Sequence, residues 1–247
     1  VIPLETLYKT YVISASDEDP VTHQRVYKDE LINTTETSVL TLAGKSLSVN
    51  SVHNKSIRSV AASSTEPGRH TIALASADQT LSFINVYEIT GFNTAINNTV
   101  GGTVNVTDTS FTNNINDIIN NGILNLCGET MLSSLSGNGI TNIARKADMT
   151  PANVTFNANG TVTQANINID EGYENVFSKL TNKATTTVTE KLYNKGTLDN
   201  QAPLTANNLD NEGDIINTSS IEVTTKLHSS GTITNSGTIE SADFSTL

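Results

Sequence analysis

Three stretches fix the reading of this chain: Leu192-Tyr193-Asn194-Lys195-Gly196-Thr197-Leu198, Leu209-Asp210-Asn211-Glu212-Gly213-Asp214-Ile215 and Leu227-His228-Ser229-Ser230-Gly231-Thr232-Ile233. Each sets an apolar residue, three mostly polar residues, a glycine, one further residue and a second apolar residue in the same order. Glycines 196, 213 and 231 are 17 and 18 residues apart, and Gly122 and Gly139 are again 17 apart. Self-similarity at a fixed period marks a repeat architecture. A unit this short cannot bury an apolar face alone, so neighbouring units must stack.

Working outward, the pattern returns at Ile118/Gly122/Leu124 and Phe156/Gly160/Val162, and after only six residues at Ile233/Gly237/Ile239. Leu135/Gly139 is a weaker copy, as is Leu180 with Ala184 in the glycine place. Alternation such as Ile221-Glu222-Val223 turns one side of a strand inward and the other to water. The predicted fold is all-β: a parallel β-helix (β-solenoid) with turns of about 17–18 residues over residues 92–247. Each turn holds two or three short strands, and its Asn-Gly corners supply the special dihedrals of a sharp bend. Eight or nine turns, stacked roughly 4.8 Å apart, would run on the order of 40 Å. Inward Leu, Ile and Val form ladders; Thr, Ser and Asn form the outward ones. Insertions around residues 141–152 and 165–179 break the period.

Residues 1–91 have a different texture, with few glycines and no clear period. Val39-Leu40-Thr41-Leu42, Leu47-Ser48-Val49 and Thr71-Ile72-Ala73-Leu74 are strand-like, and Ser64-Thr65-Glu66-Pro67-Gly68 is a turn signal. This part reads as a β-rich cap or an irregular start of the solenoid.

Composition fits a β protein without strong charge: 36% hydrophobic, 16% charged and 5% aromatic residues among 247. Thr favours strands, and Asn and Gly favour turns. The net charge of −11 argues against a nucleic-acid partner, which calls for a basic face. No run of 18 apolar residues is present to span a bilayer as a helix. The chain starts Val1-Ile2-Pro3-Leu4 with no visible signal peptide, which predicts a processed or excised piece of something longer.

The chemistry-bearing residues are scattered. Cys127 is the one cysteine, so no intrachain disulfide forms, and it reads as a buried structural thiol in Leu124-Asn125-Leu126-Cys127. His23, His53, His70 and His228 lie far apart and read as surface residues, with His228 facing outward. Asp170-Glu171, Asp199, Asp210-Asn211-Glu212, Asp214 and Glu222 are the carboxylates from which a glycosidase pair would have to come. Equivalent places elsewhere hold Thr197 and Thr232, and only Tyr173, Phe177, Tyr193 and Phe244 supply aromatic rings nearby. No catalytic, cofactor-binding or metal residue is therefore assigned, and the chain reads as no enzyme. Calcium has two weak candidates with oxygen ligands, Asp17-Glu18-Asp19 and Asn166-Ile167-Asn168-Ile169-Asp170-Glu171-Gly172, neither with EF-hand spacing. Asn-x-Ser/Thr sequons at Asn33, Asn54, Asn97, Asn105, Asn153, Asn159 and Asn217 follow from the abundance of Asn and Thr. A flat threonine face of the ice-binding kind has only two hints, Thr103-Val104-Asn105-Val106-Thr107 and Thr185-Thr186-Thr187-Val188-Thr189.

The repeated stretches, with Gly231-Thr232-Ile233-Thr234-Asn235-Ser236-Gly237-Thr238-Ile239, resemble the repeats of bacterial secreted β-helices. Autotransporter passenger domains and filamentous-haemagglutinin-like adhesins carry such turns. Gly101-Gly102 and Phe111-Thr112-Asn113-Asn114 faintly resemble polymorphic outer-membrane protein repeats. The likeness covers residues 92–247 and is strongest in 180–240. It implies a secreted or cell-surface scaffold acting in adhesion or surface assembly. Partners would be host or neighbouring-cell surface components, glycans or other copies of itself. The competing expectations are a polysaccharide-cleaving or polysaccharide-binding β-helix of the lyase or tailspike type, and a filament or surface-layer subunit.

Overall fold

Strands recur every seventeen residues or more and pair in parallel, so the chain winds as a coil and each strand lies on its counterpart one turn earlier. The computed structural model describes residues 2–3, 17–18, 25–26, 30–33, 38–42, 44–50, 56–60, 70–146, 148–174 and 176–246. Three parallel ladders run through them, giving a three-sided β-solenoid, the architecture of β-helix proteins in general.

One turn shows the order. Lys179–Asn182 lies on the first face, the start of Thr185–Asn194 on the second and its end on the third, after which Thr197–Asn200 returns to the first. The third face carries Thr80–Ile84, Thr103–Thr107, Ile123–Cys127 and Ile140–Ile143, then the ends of Asn153–Ile169, Thr185–Asn194, Leu204–Asn211 and Ser220–Ser229, and last Phe244–Thr246. Eight of these strands fall within residues 92–247, in keeping with the eight or nine turns expected from the sequence. The ladders cross residue 92 without a break, since Ile57–Val60, His70–Ala73 and Thr80–Ile84 pair onto the strands that follow them. Asp17–Glu18 and Arg25–Val26 form a separate antiparallel pair.

Parity along each strand builds the core. In Ile123–Cys127, Leu124 and Leu126 point inward, and they stack between Val104 and Val106 on one side and Thr141 and Ile143 on the other. The core is one continuous column of Leu, Ile, Val and Phe. Burial of such side chains contributes about 1.5–3 kcal/mol each.

The repeating glycine is needed for close approach. A Cβ on Gly213 would run into the carbonyl of Gly196, and one on Gly231 into the carbonyl of Gly213. Neither is among the positive-φ glycines, which are Gly91, Gly101, Gly128, Gly137 and Gly172. The expectation of special dihedrals at these corners is therefore corrected: the backbone there is ordinary, and what excludes a side chain is the turn beneath.

The asparagine two residues before that glycine shares the parity of the leucine before it, and so faces inward. Asn182, Asn200, Asn211 and Asn217 are all buried. Asn182 Nδ2 donates to Asn200 Oδ1 at 2.8 Å, Asn200 Nδ2 to Asn217 Oδ1 at 2.8 Å, and Asn217 Nδ2 to Asn235 Oδ1 at 2.7 Å. A second file runs from Asn194 to Asn211 at 2.7 Å and on to Ser229 Oγ at 3.0 Å. Spare amide protons reach corner carbonyls, as from Asn200 to Ser220 and from Asn194 to Asp214. A buried amide left unpaired would be costly, and stacking identical amides satisfies donor and acceptor together. Asn194 opens its file over Ile169, which offers no polar atom, and its Oδ1 accepts no hydrogen bond among the described residues. The outward asparagine ladders expected from the sequence exist too, but half of the device lies inside.

Candidate functional site

The outward column of the third face begins with Ser48 and Ser82 and continues through Asn105, Asn125, Asn142 and Asn168 to Tyr193, Asp210, His228 and Ser245. These positions alternate with inward, mostly apolar side chains, so the strand places each on the outer side. Their amides join hand to tail. Asn105 Nδ2 donates to Ser82 Oγ at 3.0 Å, Asn125 Nδ2 to Asn105 Oδ1 at 2.8 Å, Asn142 Nδ2 to Asn125 Oδ1 at 2.9 Å and Asn168 Nδ2 to Asn142 Oδ1 at 2.8 Å. Along this part of the column each asparagine spends one N–H on the turn before it, and the carbonyls of Asn105, Asn125 and Asn142 each accept one bond. An amide has two donors and two acceptor lone pairs, so both kinds of group remain for a partner outside.

A shallow groove of about 390 Å³ opens where the column changes from amide to ring, lined by Asn125, Asn142, Asn168, Asp170, Tyr193 and Lys195 with Ile143, Ala144 and Ile169. Lys191 and Lys195 flank the Tyr193 ring, with their ammonium nitrogens 5.1 and 5.2 Å from its centroid. The Tyr193 hydroxyl donates to Glu212 Oε1 at 2.5 Å. That bond, with the charge of Lys195, holds the Glu212 carboxyl below the usual carboxylate range. Lys195 is pushed up by its interaction with Tyr193 and by the charge of Glu212. Arg145 Nε lies 2.9 Å from Asp170 Oδ2 and fixes the rim on the other side.

Two loops leave the solenoid beside the groove, spanning residues 144–152 and 170–178, and their first residues Ala144 and Asp170 line it. Their ends are in register, as Lys179 N donates to Ala152 O and Asp170 N to Ile143 O. They carry Met149, Tyr173, Val176 and Phe177, each 43–59% exposed. Met149 and Glu174 have positive φ, 71° and 47°, and Gly172 has 88°. Loops placed by a rigid scaffold are where binding residues concentrate.

The structure distributes the carboxylates singled out in the sequence. Asp199 and Asp214 share the first face in adjacent turns, where Asp199 pairs in register with Ile216 and Asp214 with Thr197 and Thr232. Glu222 is on the second face, between Thr205 and Glu240. Asp210 is on the third, in an ion pair with Lys191. Glu171 follows Asp170, and its N–H donates to Asp170 Oδ1. Asp199 lies 2.7 Å from Lys179. Burial pushes the Asp199 carboxyl up, but hydrogen bonds from Lys179 and Gln201 and the charges of Lys179 and Lys183 outweigh it and hold the group low.

Asn166 to Gly172 is strand for its first four residues, and Ile167 and Ile169 are buried in the core. Asn166 Nδ2 donates to Glu190 Oε2 and Asn168 Nδ2 to Asn142, so one N–H of each amide is taken up by a neighbouring turn. Asp19 and the side chains of Asp17 and Glu18 lie outside the described residues, as do His23 and His53. Among the described residues no group of three or more His, Cys, Asp or Glu is arranged to hold a metal ion.

His228 faces outward as expected, with Nδ1 3.0 Å from Ser245 Oγ. His70 is buried, a correction to its surface reading: it has the parity of Ile72 in His70–Ala73, which faces the core. Cys127 is a free, half-buried thiol rather than a core one, since Leu124 and Leu126 take the inward positions of its strand. Burial pushes its pKa up. The threonines form no flat face: Thr103, Asn105 and Thr107 stack on Ile123, Asn125 and Cys127, and Thr186 is buried. The sequon residue Asn217 is buried in the inner amide file, away from any glycan.

The groove was missed by sequence reading. Asn105, Asn125, Asn142 and Asn168 share outward parity next to inward apolar residues, and that was the available signal. No helix among the described residues is long and apolar enough to cross a membrane. No protein-family model, no curated protein and no solved structure matches the chain.

Proposed function

We propose that this chain is a structural or adhesive protein of the bacterial cell surface, a stiff β-helical rod that presents its outward columns to another surface. The observation that carries the reading is the pair of amide files inside the solenoid and the amide column outside it, which tie successive turns by side chains as well as by backbone. Such a solenoid transmits contacts along its length and repeats the same chemistry at each turn. The likeness of its repeats to those of autotransporter passengers and filamentous-haemagglutinin-like adhesins supports a secreted or surface-exposed location. On this reading the chain is not an enzyme. Ion pairing of Asp170, Asp199, Asp210 and Glu212 with basic partners supports that, because a carboxylate whose oxygens already bond a neighbouring cation is poorly placed to work on a substrate.

Negative-stain electron microscopy of the purified chain, together with binding of fluorescently labelled protein to bacterial and epithelial cells, tests the reading. Straight rods, single or joined end to end, that coat cells are expected. A flexible chain, or rods that neither bind a cell nor assemble, would overturn it.

The groove favours a second reading, a polysaccharide-processing β-helix. Asp170 and Tyr193 both line it. Release of reducing ends from bacterial or plant polysaccharides, lost in Asp170→Asn, would establish this alternative.

A further inference from the structure

We propose that the groove on the third face is a binding site for an uncharged oligosaccharide, lying along the solenoid axis over Asn125, Asn142 and Asn168 and against Tyr193. The proposal rests on the adhesive reading for its biological meaning, but its chemistry stands on the groove itself.

Three observations select this ligand. The amide column repeats at the strand spacing of about 4.8 Å, so its unused donors and acceptors form a regular row. A polymer of hydroxyl-bearing rings answers such a row, because each hydroxyl both donates and accepts. Next, the row ends on Tyr193, a half-buried ring held by Lys191, Lys195 and Glu212. A fixed ring beside a few placed polar groups is the usual makeup of a small-molecule pocket. Finally, the charged groups at the rim are already matched: Asp170 with Arg145 at 2.9 Å, Lys195 with Glu212 at 3.6 Å, and Lys191 with Asp210. A polyanion would have to break these pairs, and would approach a chain of net charge −11. A protein partner calls for apolar anchors at the centre of its contact. The exposed apolar residues here, Met149, Tyr173, Val176 and Phe177, are on the loops and do not line the groove.

The test is calorimetry on the whole chain with uncharged hexasaccharides (cellohexaose, chitohexaose, maltohexaose and mannohexaose) and with the acidic hexagalacturonide as contrast. At least one neutral hexamer is expected to bind, with affinity unchanged between 0.05 and about 0.5 M salt, since no ion pair forms on binding. Tyr193→Ala and Asn168→Ala should each weaken it at least tenfold, while Phe177→Ser should leave it unchanged. Tyr193→Phe, which keeps the ring, serves as the control for folding and should retain most of the affinity. Absence of binding to every neutral hexamer, binding of the acidic hexamer alone, or equal affinity in Tyr193→Ala would overturn the proposal. The same variants in the cell-binding assay separate this from the adhesive reading. No hexamer binding, with cells still coated by Tyr193→Ala but not by Phe177→Ser, would sink the saccharide site, leave the adhesive role standing and assign it to a protein contact at the loops. Hexamer binding by a chain that coats no cell would do the reverse.

Discussion

The wide turns in the middle of the solenoid and the narrow turns that follow them fill the same three-sided frame by different means. Along the outward column, successive asparagines of the middle are mostly 20 to 26 residues apart. In the later turns the buried amides are 17 or 18 apart. The wide turns bury Phe83, Phe92, Phe111 and Phe156. The narrow ones bury Leu192, Leu198, Leu204 and Leu209, with asparagines at the corners and no phenylalanine. Both kinds of turn carry stacked inward amides, the wide ones through Asn98, Asn120 and Gln164, so what sets the wide turns apart is the large rings they bury. Extra residues also allow loops, and both loops beside the groove leave wide turns. The groove lies where the two regions meet, with Asn125, Asn142 and Asn168 from the wide turns and Tyr193 and Lys195 from the narrow ones.

The largest effect expected on this division comes from Phe156→Ala. It should cost about 3–5 kcal/mol, the range for emptying a buried aromatic site. In a solenoid each turn touches only its neighbours, so the loss should stay local. Hydrogen exchange should show faster opening across residues 153–182, with the amides of residues 194–217 still protected. Uniform loss of protection would mean that the two regions open as one unit.

Asn200→Ala probes the narrow turns. Asn200 accepts from Asn182 and donates to Asn217 Oδ1 and Ser220 O, so removing it leaves the buried Asn182 amide without its acceptor and takes one bond each from Asn217 Oδ1, which keeps the Ser219 N–H, and from Ser220 O. A destabilisation of about 1–3 kcal/mol is expected in urea unfolding. Asn200→Leu should be no better, as the leucine fills space but leaves the Asn182 amide just as unpaired. Asn142→Ala breaks a column of the same kind on the outside, where water replaces both lost bonds. It should cost less than about 0.5 kcal/mol. A loss at Asn142 equal to that at Asn200 would show that the outer column also holds the rod together.

The sequence made this contrast only partly visible. The narrow turns are legible because Leu192, Leu209 and Leu227, with Gly196, Gly213 and Gly231, keep one spacing. Asn194 and Asn211 share the parity of those leucines, yet asparagine next to glycine also reads as turn chemistry, and the two meanings coincide at a corner. The groove was harder still. Its residues Asn125, Asn142, Asn168 and Tyr193 come together only after turns of unequal length are counted out, and the 144–152 and 170–178 loops intervene between them. No fixed period brings Tyr193 above Asn168. The coarse outline of insertions near 141–152 and 165–179 was present, but the strands Ile140–Ile143 and Asn153–Ile169 occupy part of those ranges. Only the loops themselves leave the coil.

The smallest expected effect concerns a charge in a narrow turn. Asp199 sits in a narrow turn, paired with Lys179 at 2.7 Å, and its carboxyl is held below the usual carboxylate range. A group with a depressed folded-state pKa stabilises the fold fully above its unfolded value of about 3.9, and loses that contribution as pH falls through the lower folded value. The pair is partly solvated, so screening keeps its worth below about 1 kcal/mol. Asp199→Asn should therefore lower the urea midpoint modestly at pH 7, and the gap from the parent should close as the pH is taken well below 4. The amide files carry no charge and should not share this acid dependence, whereas Glu212, also held low by Tyr193 and Lys195, should. If instead the gap persists unchanged at low pH, the carboxylate's charge is not what Asp199 supplies, and its hydrogen bond with Gln201 becomes the better account of that turn.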